Sequence, residues 1–272
     1  MSFVKKIFFL SLCLAFFSGV SDLAAQEKPS ESAEELAKKL ANPIASLISV
    51  PFQNNTDYGI GRYNGSRNIL NVQPVVPISV SPRMNLITRV ILPLISQYDV
   101  TGEGTRQNGI GDVLASAFLS PTKLKNGLTW GAGPALLLPT ATNTFLGTGK
   151  FGVGPTAVAL KQSKGLTFGG LINQIWSVAG DKDRGSLSQL FLQPFMTYNW
   201  KSGAGLGGSL EVTHNWVSGT TAGVFVPTIS GVTKLGKQTV SLGIGPRIHF
   251  AGQENSLPNF GWRATVSLVF PK

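Results

Sequence analysis

The chain from Pro43 onward alternates between apolar and polar positions, and a turn signal follows each alternating stretch. The last stretch shows the pattern most clearly. One of its faces is apolar and carries Trp262, Ala264, Val266, Leu268 and Phe270. Its other face is polar and carries Arg263, Thr265 and Ser267. Period-two alternation of this kind predicts strands whose two faces meet different surroundings.

The alternating stretches predict about twelve strands, each long enough to cross a bilayer at a tilt, which takes ~9–11 residues. The predicted strands cover residues 44–54, 69–80, 84–98, 110–120, 128–140, 151–162, 166–179, 187–200, 206–216, 225–235, 238–250 and 260–270. Short turns are predicted at 81–83, 121–127, 163–165, 201–205 and 236–237. Longer polar loops are predicted at 55–68, 99–109, 141–150, 180–186, 217–224 and 251–259. Short turns at one end and long loops at the other are typical of outer-membrane barrels.

The predicted fold is therefore all-β: a transmembrane antiparallel up-and-down β-barrel of about 12 strands with a short N-terminal helix. Composition favours this class, because only 13% of the residues are charged, against about 25% in ordinary globular domains. A soluble periplasmic β-sandwich, the alternative, would carry more surface charge. A helical membrane protein is excluded, because no stretch after residue 26 approaches ~18 consecutive apolar residues.

Arginines in the alternating stretches indicate which face is turned inward. A charge on the lipid side near the bilayer midplane would cost ~2–4 kcal/mol, so Arg247 and Arg263 are expected inside the barrel. The same argument predicts a larger lumen-lining set: Asn71, Gln73, Arg89, Asp112, Gln193, Glu211, Arg247 and Arg263. These residues either pair with one another to fill a narrow barrel or line a selective passage. Phe191 and Phe195 are predicted on the same inward face, which favours uncharged or aromatic solutes over ions.

The N-terminal residues 1–25 are typical of a secretory signal peptide. Lys5 and Lys6 precede an apolar run, and small residues stand where a peptidase would cut. An uncleaved anchor is the alternative, although the run is short for a spanning helix. Removal of this segment also removes Cys13, the only cysteine, so the mature chain can form no disulfide. The predicted location is the cell outer membrane of a Gram-negative bacterium.

Residues 26–42 are predicted to form a helical segment before the barrel, which occupies 43–272. Ser32 and Glu35 fit a capping box, Leu36 and Leu40 are spaced to share one face, and Pro43 ends the helix. Two interpretations remain open. The helix is either an arm in the periplasm, which the pattern slightly favours, or a plug inside the lumen.

Aromatic and basic residues suggest the partners. Aromatic side chains fall near predicted strand ends, where membrane interfaces favour them: Tyr98, Trp130, Trp176, Tyr198, Trp200, Trp216, Phe250 and Trp262. The predicted partners are outer-membrane lipids, a small-molecule solute and the barrel assembly machinery. Nucleic acid is rejected despite the net charge of +10, because the basic residues are scattered and the chain is exported. The oligomeric state does not follow from the sequence.

Catalytic chemistry has little support in the sequence, and no cofactor or metal is predicted. His214 lies near a predicted strand end with no serine visibly paired to it, which favours an interface histidine over a catalytic one. Three functions compete. The first is an outer-membrane channel or transporter for small solutes, including hydrophobic or aromatic ones. The second is a lipase-type membrane-embedded barrel enzyme, and the third is a structural barrel without transport.

Several segments resemble a known family of outer-membrane barrels, labelled the MetA-pathway of phenol degradation and sometimes neuromedin U. The resemblance rests on residues 35–54, on the sequences GIGD at 109–112 and GAGPALLLPT at 131–140, on QPFMTYNW at 193–200, and on residues 239–250. It implies an outer-membrane barrel with a transport role linked to aromatic compounds. It supplies no catalytic residues.

Overall fold

The structure is a computed structural model that describes residues 32–122, 126–253 and 256–270. The predicted signal peptide at 1–25 lies outside the described residues. One helix, α1, spans Ala33–Leu40. The strands are β1 Ile48–Ile60, β2 Gly65–Val72, β3 Val75–Ser81, β4 Met84–Tyr98, β5 Arg106–Ile110, β6 Val113–Pro121, β7 Leu128–Leu138, β8 Lys150–Ser163, β9 Leu166–Gly180, β10 Ser188–Asn199, β11 Ala204–Asn215, β12 Thr220–Leu235, β13 Gln238–Ala251 and β14 Phe260–Phe270. Within the described part of the chain, no helix is both long and apolar enough to cross a membrane.

The strands form one closed antiparallel sheet. Each strand pairs with its neighbours along the chain, and β1 also pairs with β14, from Ile48 opposite Phe270 to Tyr58 opposite Phe260. On one side β4 pairs with both β2 and β3, and on the other side with both β5 and β6. We therefore count β2 with β3 as one interrupted strand of the barrel, and β5 with β6 as another. The predicted barrel of about twelve strands is thereby confirmed. The pairing of β1 with β14 removes the two free ends that an open sheet would have, as a bilayer requires.

The two interruptions lie on either side of β4. One falls at Gln73 and Pro74, where Gln73 N still donates to Pro51 O at 2.8 Å and Val90 N donates to Pro74 O at 3.1 Å. The other falls at 111–112, where the residue 111 amide donates to Pro93 O at 2.9 Å. These hydrogen bonds bridge the interruptions, so the wall of the barrel remains continuous.

Proline occurs within several strands, and glycine makes room for it. Three of the prolines follow a glycine at which a Cβ would overlap a carbonyl oxygen of the neighbouring strand. These dipeptides are Gly133-Pro134, Gly154-Pro155 and Gly245-Pro246, and the oxygens belong to Ala117, Gln174 and Pro227. A proline cannot donate to the ladder, and the pairing of β12 with β13 skips the positions between Phe225 and Ile229. The close approach of the two backbones keeps the wall intact where the ladder is interrupted.

The outer surface is apolar and charged residues of the strands such as Arg247 and Arg263 point inward, as the alternation predicted. In β14, Trp262 and Val266 are exposed on the outside, whereas Arg263 and Ser267 are buried. Exposed aromatic residues form two belts. One belt lies near one end of the strands and contains Tyr58, Tyr98, Trp176, Trp216, Phe250, Phe260 and Trp262. The other lies near the opposite end and contains Trp130, Phe168, Tyr198 and Trp200. An apolar band between two aromatic belts matches the cross-section of a bilayer.

The two ends of the barrel carry different connections. We call the end with the connections at 82–83, 164–165, 200–203 and 236–237 the short-turn end, and the opposite end, with the connections at 99–105, 139–149, 181–187 and 252–259, the loop end. The predicted loop at 55–68 is wrong, because β1 and β2 continue through it and turn only at 61–64. The polar residues there resembled a loop, but they are strand residues, and Asp57 and Asn55 bond to Arg247 on the same wall of the barrel.

Candidate functional site

The lumen contains two cavities that share a set of polar lining residues. Each has a volume of about 320 Å³. Residues of the N-terminal segment and of the short-turn end line the first, the inner cavity. Residues nearer the loop end line the second, the outer cavity. Five residues line both, and we call them the collar: Gln53, Gln73, Arg89, Gln193 and Arg263.

Seven of the eight residues predicted to line the lumen face these cavities. Four of them belong to the collar, namely Gln73, Arg89, Gln193 and Arg263. Three more line the outer cavity, namely Asn71, Glu211 and Arg247. The eighth, Asp112, is not among the lining residues and bonds to a loop instead. Whether any of the seven contacts a solute stays a prediction.

Asp57 anchors one ion cluster on the wall formed by β1 and β13. Arg247 donates to both carboxylate oxygens, from Nε to Oδ1 at 2.8 Å and from Nη2 to Oδ2 at 3.2 Å. His249 Nε2 lies 2.9 Å from Oδ1. Arg247 also donates from Nη1 to Asn55 Oδ1 at 3.1 Å. The two-pronged arginine–carboxylate contact fixes both side chains in one geometry.

Glu211 anchors a second ion cluster, which joins the first through Asn55. Arg263 donates to Glu211 from Nη1 to Oε1 at 2.5 Å and from Nη2 to Oε2 at 2.9 Å. Its Nε donates to Asn55 Oδ1 at 2.7 Å. Gln193 Nε2 donates to Glu211 Oε1 at 3.0 Å. Both carboxylates on this side of the lumen are therefore already paired with an arginine.

Arg89 differs from these two arginines. Its Nη2 donates to the amide oxygen of Gln73 at 2.6 Å. Among the described residues, no carboxylate lies within salt-bridge distance of its guanidinium. The side chain is partly exposed and lines both cavities. Arg89 therefore places a positive charge at the collar that no protein carboxylate balances by contact.

The opposite wall of the lumen carries most of the apolar side chains. It is built by β6, β7, β9 and β10 and the residue before β10, and its apolar side chains at the outer cavity are Leu114, Phe118, Leu137, Leu171, Ile175, Leu187 and Phe191. The polar residues Ser116, Asn173 and Gln189 stand among them. Phe118 and Leu171 are buried in a cluster against which Phe191 and Phe195 pack. Phe195 lines the inner cavity. A solute in the outer cavity thus meets charged groups on one side and hydrocarbon on the other.

The N-terminal segment lies against the inner cavity. Helix α1 begins at Ser32, whose side chain and that of Glu35 form the predicted capping box. Leu36 and Leu40 pack against Ala45, Leu47 and Val269. The helix contacts β10, β11 and β12, and eight residues from 37 to 47 line the inner cavity: Ala37, Lys39, Leu40, Ala41, Asn42, Pro43, Ala45 and Leu47.

Two further contacts fasten this segment to the barrel. Gln162 Nε2 donates to the Lys38 carbonyl at 2.8 Å, and Ile44 is buried with Phe118, Val158 and Leu171. These contacts tie residues 32–47 to the inside of the barrel wall near its short-turn end.

Asp112 fastens the longest described loop, residues 139–149. Its Oδ2 accepts from Thr148 N at 2.5 Å and from Thr148 Oγ1 at 2.7 Å, and its Oδ1 accepts from Ala141 N at 3.2 Å. Arg184 holds the same loop from the other side, since it donates to the carbonyls of Thr144 at 3.0 Å and Thr148 at 3.2 Å. The loop end is therefore ordered by side-chain contacts to its backbone.

Replacing Asp112 by asparagine is expected to loosen this loop. The amide retains one acceptor but loses the charge that strengthens the bonds from Ala141 N and Thr148 N, so hydrogen exchange at those amides should accelerate about ten-fold. The matched control is Asp183→Asn, because Asp183 is an exposed acid in a neighbouring loop. Equal exchange rates at Ala141 and Thr148 in D112N and the unmodified protein would show that the carboxylate does not hold the loop.

The two histidines have different surroundings. His214 Nδ1 lies 2.8 Å from Thr221 Oγ1, and its ring packs edge-on against Trp216 with ring centres 4.4 Å apart. This is the interface position that the sequence predicted. His249 belongs to the Asp57 cluster, and that contact was missed because Asp57 was assigned to a loop. The sequence carries no period-two signal there, because residues 54–57 are all polar.

Comparison with known proteins extends the description of the fold. No protein-family model matches the chain, and no curated protein matches its sequence. An outer membrane channel from Pseudomonas putida F1 has a similar structure, with a TM-score of 0.64 and 19% sequence identity over 90% of this chain and 100% of that chain. Outer membrane phospholipase A from Escherichia coli aligns less well, with a TM-score of 0.49 and 11% identity over 89% of this chain and 99% of that chain.

The architecture and the first of these likenesses define the class of the protein. It is a closed β-barrel of the outer-membrane kind, with a polar lumen and an apolar exterior. The predicted location in the outer membrane agrees with this fold. The phospholipase likeness is too low to bear on function.

Proposed function

We propose that the protein is a channel or transporter in the cell outer membrane that passes small solutes through the barrel lumen. The observation that carries this proposal is the pair of cavities, each about 320 Å³, that meet at the collar inside a closed barrel. Cavities of this size accommodate a single small molecule. The similar structure from Pseudomonas putida F1 is itself an outer membrane channel, which supports a transport role.

The solutes that suit this lumen are small and include hydrophobic or aromatic ones. Phe191 and Phe195 supply aromatic surface on opposite sides of the collar. The resemblance of segments of the sequence to the barrels of the MetA-pathway of phenol degradation supports the same solute range. Lipids of the outer membrane would surround the exposed apolar band, and the barrel assembly machinery would insert the chain after removal of the signal peptide at 1–25.

The residues of the lumen divide into two roles under this proposal. The pairs Arg247–Asp57 and Arg263–Glu211 fix the shape of the bore, because each arginine is held by a carboxylate. The collar lies where the two cavities meet and selects among solutes. Residues 32–42, the described part of the predicted segment 26–42, act as a plug on the inner side of the collar.

The decisive experiment measures permeation through the refolded mature protein. In planar bilayers we expect discrete single-channel steps in potassium chloride. In liposome swelling we expect small solutes such as glycine and arabinose to enter faster than sucrose or raffinose, because the collar restricts size. Heat-denatured protein reconstituted at the same lipid ratio is the control.

The competing functions give different results in the same preparation. An enzyme of the lipase type would release fatty acid from the liposome lipid without a channel step. A structural barrel would give neither hydrolysis nor swelling. Either outcome would contradict the proposal of a channel.

A further inference from the structure

We propose that the outer cavity binds monoanionic organic acids that carry a compact apolar body, with the acid group on Arg89 and the body against Phe191 and Leu171. This inference rests on the proposed function, since it names the class of solute that the lumen would recognise. The chemistry is that of a carboxylate attached to an aromatic or aliphatic group. Three features of the lumen support it, namely its charge balance, its unlike walls and the position of Arg89.

The charge balance of the outer cavity is positive. Three arginines line it: Arg89, Arg247 and Arg263. Two of them are paired, Arg247 with Asp57 and Arg263 with Glu211. Arg89 is the one of the three that no carboxylate of the described residues contacts, and an anion entering the cavity would pair with it. A cation would be repelled by its positive charge.

Arg89 retains hydrogen-bonding capacity for such an anion. A guanidinium carries five N–H donors in a planar fork that matches a carboxylate. Among the described residues, only Gln73 bonds to the Arg89 guanidinium. Because Gln73 and Arg89 both belong to the collar, Gln73 fixes the direction of the arginine without neutralising it.

The apolar wall faces the same cavity as Arg89. Leu171 and Phe118 are buried within it, and Phe191 packs on their cluster. A small hydrophilic anion such as acetate would leave this surface in contact with water. A ring or branched chain attached to the acid would cover it, and the removal of apolar surface from water is favourable. The cavity is therefore better matched to an amphipathic anion than to an inorganic one.

The test compares three planar aromatic probes of the same shape that differ in charge: benzoate, benzamide and benzamidinium. Binding to the mature protein in lipid nanodiscs is measured by ligand-observed nuclear magnetic resonance, with empty nanodiscs as the reference. Benzoate should bind at least about ten-fold more tightly than benzamide, as expected for a charge-assisted contact. Benzamidinium should bind most weakly, and acetate should bind more weakly than benzoate.

Arg89→Gln should remove the preference for the anion. We expect the affinity for benzoate to fall about ten-fold while that for benzamide stays unchanged. The matched control is Arg83→Gln, because Arg83 is an exposed arginine in a turn at the short-turn end. Phe191→Ala should weaken benzoate and benzamide equally and leave acetate unchanged, which tests the apolar wall in a separate variant should R89Q fail to fold.

The inference and the proposed function can fail separately. Permeation of sugars and ions without preferential binding of benzoate would overturn the inference and leave the channel. Equal affinity for benzoate and benzamide in the unmodified protein, or equal loss of benzoate binding in R89Q and R83Q, would also overturn it. Benzoate binding without permeation would overturn the channel alone.

Discussion

Glu211→Gln is expected to lower the free energy of unfolding of the barrel by about 3 kcal/mol, since breaking a buried ion pair leaves its partner charge uncompensated. The partner is Arg263, which is only 9% exposed and donates to both carboxylate oxygens of Glu211. In the variant, the acceptors near Arg263 are neutral, among them the amide oxygen of Asn55. Urea-induced unfolding from lipid vesicles, followed by tryptophan fluorescence, measures the change.

The double variant Glu211→Gln/Arg263→Gln separates the loss of the pair from the loss of one partner. Removing both charges should recover much of the stability, because no unpaired charge then remains in the lumen. Glu103→Gln, at an exposed loop position, is the matched control and should unfold like the unmodified protein. A double variant as unstable as E211Q would contradict this account of the ion pair.

Deleting residues 32–41 is expected to increase the single-channel conductance several-fold. This segment holds helix α1, whose residues line the inner cavity and whose Leu36 and Leu40 pack against Ala45 and Val269. Its removal opens the lumen at the short-turn end. Asn42 remains in the variant, so its side chain still accepts the hydrogen bond from Ile44 N. Conductance in planar bilayers, at matched salt, gives the measurement.

The milder variant Leu36→Ser/Leu40→Ser tests whether packing holds the helix in place. It should produce transitions between the small conductance of the unmodified protein and the large conductance of the deletion, because the helix is still present but weakly docked. The exposed residue Leu235, on the lipid-facing surface, gives the control Leu235→Ser. A deletion with unchanged conductance would show that the helix does not obstruct the passage.

The sequence predicted best the strands whose two faces meet lipid and lumen. The bounds 84–98 and 260–270 agree with β4 and β14. In β14 the alternation of apolar and polar residues is strict, and β4 is bounded by the turn-forming residues Pro82 and Asp99. The prediction failed at 55–68, where Asn and Asp residues are typical of loops in solution. In a barrel the same residues serve as inward-facing strand positions, and only their partners in distant strands reveal this.

The sequence predicted which residues belong to the candidate site better than it predicted the contacts among them. Period-two alternation indicates which residues point inward, but not which arginine meets which carboxylate. Asp57 and Arg247 are separated by 190 positions and meet only because β1 closes on β14. Asp112 lies in the interruption between β5 and β6, outside both strands, so period-two alternation does not fix the direction of its side chain.

The surface against which the N-terminal helix packs could also not be predicted from the sequence. Its capping box could be recognised because Ser32 and Glu35 are three positions apart. The surfaces that receive Leu36 and Leu40 include Val269, from the last strand. A pattern that is local in sequence contains no information about such a partner, so arm and plug could not be distinguished.

The ion clusters of the lumen span the junction at which the first strand meets the last. Asn55 and Asp57 in β1 receive hydrogen bonds from Arg263 in β14 and Arg247 in β13. If β14 joined β1 one position out of register, Arg263 would turn toward the lipid at a cost of ~2–4 kcal/mol, and its bonds would be lost. The arginines thus disfavour closure of the barrel in a wrong register. Only the native pairing of the first strand with the last gains the full stabilisation of these hydrogen bonds.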